Sequence, residues 1–475
     1  MFEGRSRTQP NAVAQELRAA VRRFVCRGPP FVISGQLIRE LQRFHGTLGR
    51  LFCATNFHRT KFVARLSPTL NQDIKVISLV CFPHLMSHAY WLVIPPMYGA
   101  LIVAFGITGE FPFTKIAVVT TVFAMATFIF QTPVGFIVDR VGARAVLIGG
   151  LAIEAVAIGL FGVATAYWQL LILAGIAGIG HTVFHPADYA ILSARVSEER
   201  MGRAFSIHSA TGYVGFAIAP IFMTGIAGLW HWRAAFILIG IIGLIAALVL
   251  LTQSDALRDT GQDPREKKDS TSPHSTKDDG STLAGIKLLL SLPILMCFLY
   301  FVLHQMGGGG IRSFLVAALG EMYGTPEVVA ATALSAFTVG SVFGILSGGW
   351  VADKFGPRIM TAFATLVPAG ILIALMGWFD IRGVLLIGVL ALSGYLIGLL
   401  IPSRDILLRS VTPPGSMGKV MGFASTGSNL GGALIPVVLG FALDTLGGQW
   451  VFWICALFVG AAFLTFITAK TRFSG

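Results

Sequence analysis

From Val76 to the C-terminus the chain alternates long apolar runs with short polar breaks. Twelve runs stand out, near 76–103, 116–138, 145–164, 168–192, 203–227, 233–252, 287–318, 328–350, 359–378, 382–403, 418–443 and 449–468. Each has about the 20 residues that a helix needs to cross a hydrocarbon core of roughly 30 Å. None alternates with period 2, so the pattern predicts helices rather than strands. One long polar stretch, residues 253–286, divides the runs into six and six, and its composition is that of a disordered linker. The expected organisation is a basic tail over 1–75, a six-helix bundle over 76–252, the linker over 253–286 and a second six-helix bundle over 287–475.

Composition supports that reading. Only 12% of residues are charged, about half the share typical of soluble domains, and 55% are hydrophobic, with a mean hydropathy of +0.76. A soluble protein this poor in charge could not cover its surface, which excludes that class and predicts an all-α, multi-spanning membrane protein. Five cysteines form no close pairs, and nothing asks for an oxidising compartment.

Charge then sets orientation. An even number of spans puts both termini and the linker on one side, and that side carries 31 of the 35 Lys and Arg. The remaining four are Lys115, Arg233, Arg312 and Arg382. The positive-inside rule therefore predicts cytoplasmic termini in a cytoplasmic (inner) membrane. The net charge of +12 reports this topology and implies no nucleic-acid partner. The tail reads either as a disordered segment or as a basic arm on anionic lipid, with Leu17, Val21, Phe24 and Val25 on one face of a short helix.

The two halves repeat. Cys81-Phe82 followed by His88 recurs as Cys297-Phe298 followed by His304. Gly135-x-x-x-Asp139-Arg140-x-Gly142-x-Arg144 recurs as Gly349-x-x-x-Asp353-Lys354-x-Gly356-x-Arg358. Gly215 and Pro220 recur as Gly431 and Pro436. Six spans per unit keep the same orientation, so the repeat is parallel, about an axis along the membrane normal, with substrate expected near the midplane between the halves.

The duplicated glycine–aspartate–arginine string resembles the signature of the major facilitator superfamily, and both copies fall where that family has them, after the second and eighth spans. The resemblance implies the major facilitator fold and alternating access, with Asp139, Arg140, Arg144, Asp353, Lys354 and Arg358 latching the cytoplasmic side and Gly135 and Gly349 at close helix contacts. It also implies that spans 1, 4, 7 and 10 line the cavity. Gly212, Gly215 and Pro220 in span 5 pack and kink that helix, a feature commoner among the family's exporters. His84-Leu85-Met86, Val183-Phe184-His185-Pro186 and Ser206-Ile207 resemble the fosmidomycin-resistance branch, drug exporters driven by proton antiport.

Chemistry inside the bilayer is dominated by histidine. His84, His88, His181, His185, His208 and His304 lie within spans, where ionisable groups are costly and are candidates for function. His84/His88 and His181/His185 are pairs one helical turn apart. Imidazole titrates near physiological pH, so these groups can carry a coupling proton or meet an anion. Glu154 is the clearest embedded carboxylate, either a proton site or the partner of a polar neighbour. Gly307-Gly308-Gly309-Gly310 before Arg312 predicts a broken helix whose new N-terminus forms an anion site, or else a flexible end of span 7. Asp188, Arg404 and Asp405 are expected near a cytoplasmic gate, with an Asp188–Arg404 ion pair.

The resulting expectation is a secondary transporter of a small molecule, proton-coupled and exporting, monomeric, with no cofactor and no resident metal. The alternative is a metal-ion or small organic-anion transporter using the histidine cluster. Two H-x-x-x-H boxes are shared with membrane di-iron desaturases, but this chain has no His-His dipeptide, which argues against an enzyme. A non-transporting sensor on the same fold is a further alternative.

Overall fold

The computed structural model describes residues 68–257, 287–356, 358–413 and 417–471. The expected tail helix at 17–25 and most of the linker lie outside the described residues. Among the described residues all regular structure is helical, because in lipid each backbone N–H and C=O must be paired within its own segment. Among the described residues, eleven helices are long and apolar enough to cross a membrane, and a further apolar helix, Ile359–Leu375, is shorter.

The first expected span is broken where Pro95 and Pro96 withhold backbone donors. Helix α1 (Pro68–Trp91) ends in a turn, followed by a 3-10 turn (Pro95–Met97) and α2 (Tyr98–Ala104). Then come α3 (Pro112–Val141), α4 (Ala143–Phe161) and α5 (Tyr167–His181). The fourth expected span is also divided, into α5 and α6 (Phe184–Arg195), because Pro186 cannot bond back to Thr182. Helices α7 (Glu198–Leu229) and α8 (Trp232–Thr252) complete the first half. The second half runs α9 (Leu292–His304), α10 (Gly310–Tyr323), α11 (Glu327–Phe355), α12 (Ile359–Leu375), α13 (Gly383–Ser410), α14 (Met417–Leu446) and α15 (Gln449–Thr471).

The glycine run does not break its helix. Gln305–Gly309 form a π-helical turn that joins α9 to α10 and is buried. The glycines serve packing: a Cβ on Gly307 would lie 2.6 Å from Val459 Cγ2, and one on Gly310 2.7 Å from Cys455 Sγ. The expected free helix N-terminus before Arg312 is therefore absent.

Close backbone contact recurs elsewhere. Helices α11 and α13 meet through Gly340, Gly344, Gly348, Gly394 and Gly398, and a Cβ on Gly394 would lie 1.8 Å from the Phe337 carbonyl oxygen. Gly215 of α7 sits on α1, where a Cβ would be 2.2 Å from Leu85 O, and Gly431 of α14 sits on α9, 2.5 Å from Val302 O. Pro220 and Pro436 lie inside these same two helices. By contrast, a Cβ on Gly135 or Gly349 would meet nothing within 4 Å, so neither makes the expected close helix contact.

Contacts between the two halves run mainly through two helix pairs, α3 with α14 and α7 with α11. Thr121 donates to Ala433 O at 2.8 Å in the first pair, and Ser335 to Ala217 O at 2.6 Å in the second. At the start of α3, Asp444 of α14 accepts from Phe113 N (3.0 Å), Thr114 N (2.7 Å) and Thr114 Oγ1 (2.6 Å). Its carboxylate thus caps, across the interface, a helix whose own N-cap, Phe111, has no capping side-chain bond.

Candidate functional site

At the far end of α3, Gly142 has φ +100° and the equivalent Gly356 has φ +66°, conformations that explain a glycine at both copies of the string. Arg144 reaches Asp255 at 4.0 Å. Lys354 lies over the Trp350 ring at 4.9 Å and Arg358 over Phe355 at 5.7 Å, while Arg140 is exposed. The side chains of Asp139 and Asp353 lie outside the described part of the structure.

Between the halves lies a cavity of about 160 Å³. Its walls come from α1 (His88, Trp91), α3 (Thr127, Gln131), the broken fourth span (His181, Thr182, His185), α7 (Tyr213, Phe216), the π turn (Gln305), α10 (Arg312) and α14 (Ser428, Asn429). Asn429 donates to Gln131 across the interface between the halves. The only positively charged group permanently on this wall, among the described residues, is Arg312. It is 6% exposed, donates from Nη2 to Gln305 Oε1 at 3.0 Å, and lies 5.1 Å from the Phe216 ring centre. Among the described residues no carboxylate lines the cavity with it.

Behind the wall are two histidine–carboxylate contacts. His181 Nδ1 lies 2.9 Å from Glu154 Oε1, so Glu154 is the partner of a polar neighbour, with Oε2 unpaired. His208 Nε2 lies 2.9 Å from Asp188 Oδ2, and His84 Nδ1 lies 3.1 Å from the same oxygen without hydrogen-bond alignment. Gly212 makes room for these rings, since a Cβ there would lie 2.8 Å from His88 Cε1 and 3.0 Å from His84 Nε2.

Two expectations need correction. Asp188 is fully buried among histidines, whereas Arg404 pairs with Asp405 at 2.8 Å and lies over Phe301, so the expected Asp188–Arg404 pair is not formed. His304, which as the repeat counterpart of His88 is expected across the axis from it, does not line the cavity: it stacks on Tyr300 with ring centres 5.6 Å apart, and its neighbour Gln305 reaches the cavity instead. The wall amides Gln131, Gln305 and Asn429 carry no charge and so do not stand out among the ionisable groups; uncharged amides inside apolar runs are the signal that marks them.

A multi-spanning helical bundle with a polar cavity at the interface of its halves is the architecture of a secondary transporter. The Major Facilitator Superfamily profile matches residues 80–315 and 297–473, and the chain belongs to that family. It is a membrane transport protein and not an enzyme. Among its relatives, the fosmidomycin resistance protein of Escherichia coli (strain K12) is 24% identical over 403 residues, covering 84% of this chain and 93% of that protein. The multidrug resistance protein MdtG of Klebsiella pneumoniae (strain 342) is 24% identical, covering 81% and 90%, and the membrane sensor protein UhpC of E. coli (strain K12) is 23% identical, covering 75% and 84%. A bacterial homologue of the human lysosomal transporter Spinster, inward-facing and occupied, shares the fold with a TM-score of 0.68 and 16% identity, over 84% of this chain and 96% of that one.

Proposed function

We propose that the protein is a proton-coupled transporter of a small organic anion, built as twelve spans in two parallel six-helix repeats over 76–252 and 287–475. Support for the repeat comes from α3–α14 and α7–α11, which are exchanged by the sequence repeat and form the two main contacts between halves. Both termini and the 253–286 linker lie on the cytoplasmic side, by the distribution of Lys and Arg.

The observation that carries the anion reading is Arg312, a buried guanidinium facing a polar cavity with no carboxylate among the described residues of its wall. A buried cation needs a partner, and an anionic cargo supplies one. His88, His181 and His185 share that wall and can take up protons. Resemblance to the fosmidomycin-resistance branch favours export by proton antiport, and fosmidomycin, a small phosphonate, is the first probe. A latch role for the Gly135–Arg144 and Gly349–Arg358 strings follows from the family.

The test is fosmidomycin flux in proteoliposomes under an imposed pH gradient. Gradient-dependent flux is expected; flux indifferent to collapse of the gradient refutes proton coupling. Absence of any flux, with signalling retained in cells, favours the sensor reading.

The metal alternative has one observation in its favour: ligand atoms of His84, Asp188 and His208 lie within 4.8 Å of one another. Against it, the His84 and His208 rings are stacked, with centres 3.6 Å apart and planes 26° from parallel. Two imidazoles bound to one tetrahedral ion at metal–nitrogen distances of about 2.0–2.1 Å diverge from it and cannot lie face to face.

A further inference from the structure

We propose that His84, Asp188 and His208 together hold a single proton, and that this proton and the anion in the cavity bind together and cross the membrane in the same direction. The inference rests on the proton-coupled, anion-binding reading above and revises only the direction expected from the branch.

The three residues come from three helices, α1, α6 and α7, and are 2%, 0% and 0% exposed. One carboxylate oxygen faces a nitrogen of each imidazole, at 3.1 and 2.9 Å. With no proton added, the group is a buried carboxylate between two neutral rings and carries one negative charge, which is costly away from water. One added proton gives an imidazolium–carboxylate pair with no net charge. A second would place two positive rings face to face at 3.6 Å. At these distances that repulsion is about the same size as the attraction of the second ring to the shared carboxylate, so net charge decides: a second proton leaves the buried group cationic, which is as costly away from water as the bare carboxylate. The geometry therefore selects one proton.

The fixed charge on the shared cavity wall is Arg312, and an anion bound there offsets it, so the count is unchanged. Cys81 and His88 face the group from α1, and His185 and Tyr189 from α6. The remaining titratable neighbours, His181 and Glu154, are engaged with each other. Nδ1 of His208 and Oδ1 of Asp188 have no hydrogen-bond partner, which leaves the group able to reorganise as the proton arrives or leaves.

Access runs through the cavity wall. The rings of His88 and His185 lie 4.6 and 5.4 Å from that of His84, and both line the cavity. A proton can pass from the cavity through either ring. This proximity also fixes the sign of the coupling. Protonation removes a negative charge two rings from the anion, so it strengthens anion binding, and by reciprocity the anion strengthens proton binding. Antiport requires the opposite, each ligand displacing the other. With an anionic cargo, the site's charge favours cotransport.

The experiment uses the full chain in proteoliposomes with the membrane potential clamped at zero and labelled fosmidomycin as the probe. Under those conditions a one-proton cotransporter accumulates substrate on the alkaline side by about tenfold per unit of pH difference, and a two-proton one by about a hundredfold. Tenfold accumulation on the alkaline side is the expected result. In Asp188→Asn and His208→Asn, exchange of labelled for unlabelled substrate continues but the accumulation ratio falls to unity. Accumulation on the acidic side overturns the direction and restores antiport. A coupled Asp188→Asn variant overturns the assignment of the proton site while leaving proton coupling intact, and no accumulation by the unsubstituted protein sinks the preceding reading itself. Should both variants fail to fold, ¹⁵N-histidine NMR of the unsubstituted protein decides: His84 and His208 both doubly protonated between about pH 5 and 8 refutes the single-proton site. Tight Zn²⁺ binding required for flux overturns the proposal in favour of a metal.

Discussion

The Asp444 clasp joins the two halves at one end of the bundle, and its removal should tilt the balance between conformations. Asp444→Ala deletes three hydrogen bonds, to Phe113 N, Thr114 N and Thr114 Oγ1. Hydrogen bonds to charged groups contribute about 1.5–3 kcal/mol each when buried, and loss of a helix cap costs about 0.5–2 kcal/mol. Asp444 is only partly buried, so its three bonds act together as one helix cap rather than as a sum of buried bonds, and the upper end of the cap range, about 2 kcal/mol, applies. Because the contact spans the interface, that free energy acts on the equilibrium between closed and open arrangements of this end, about a 30-fold shift. The repeat position of Asp444 in the first half is Gly228, so no second clasp of this kind compensates.

Spin labels at Val163 and Val384, 57% and 86% exposed at the same end but in different halves, report the distance. The unsubstituted protein should show one dominant short distance and Asp444→Ala a substantial longer one. Asp444→Asn, which keeps an accepting oxygen, should fall between. Identical distance distributions for all three proteins would show that the clasp bears no load in the conformational balance.

Two further perturbations probe the site and the scaffold. Arg312→Gln should weaken fosmidomycin binding by about 10- to 100-fold, the worth of hydrogen bonds to a charged group, and Arg312→Lys should weaken it less; calorimetry that finds unchanged affinity in Arg312→Gln removes the anion site. Gly394→Val pushes a branched side chain into the Phe337 backbone and should lower the melting temperature sharply, at a cost of about 3 kcal/mol or more, whereas Gly460→Ala, where a Cβ meets nothing within 4 Å, should be neutral or stabilising by about 1 kcal/mol; the reverse order contradicts the packing account.

The spans were legible because lipid imposes one demand on every crossing, and that demand writes itself as about 20 apolar residues. Gly142 and Gly356 were legible as a repeated motif, and their shared positive φ supplies the reason. The histidine pairs were legible from helical spacing, which brought His84 beside His88 and His185 to the same cavity wall. Asp188 was given the wrong partner because its position in the chain, near the end of an apolar run, says nothing of the two helices, α1 and α7, that bring His84 and His208 to it. His304 and the four glycines were misread for a related reason: the π turn changes which residue of span 7 reaches the cavity, and whether a glycine breaks a helix or seats it depends on what packs against it. Here that is Val459 and Cys455, far away in sequence.

The glycine contact between α11 and α13 also governs where the molecule can bend. Two helices touching backbone to backbone have no long side chains between them to slide or repack, so this part of the second half behaves as one stiff plate. The first half is jointed instead, at residues 92–94 and at Thr182–Val183. Those joints bracket the histidines: one lies just beyond His88, the other between His181 and His185. On the proton-coupled reading, rocking of the plate against the first half would bend the chain at joints adjoining the ionisable cluster, so mechanical work and proton affinity would meet at the same few residues.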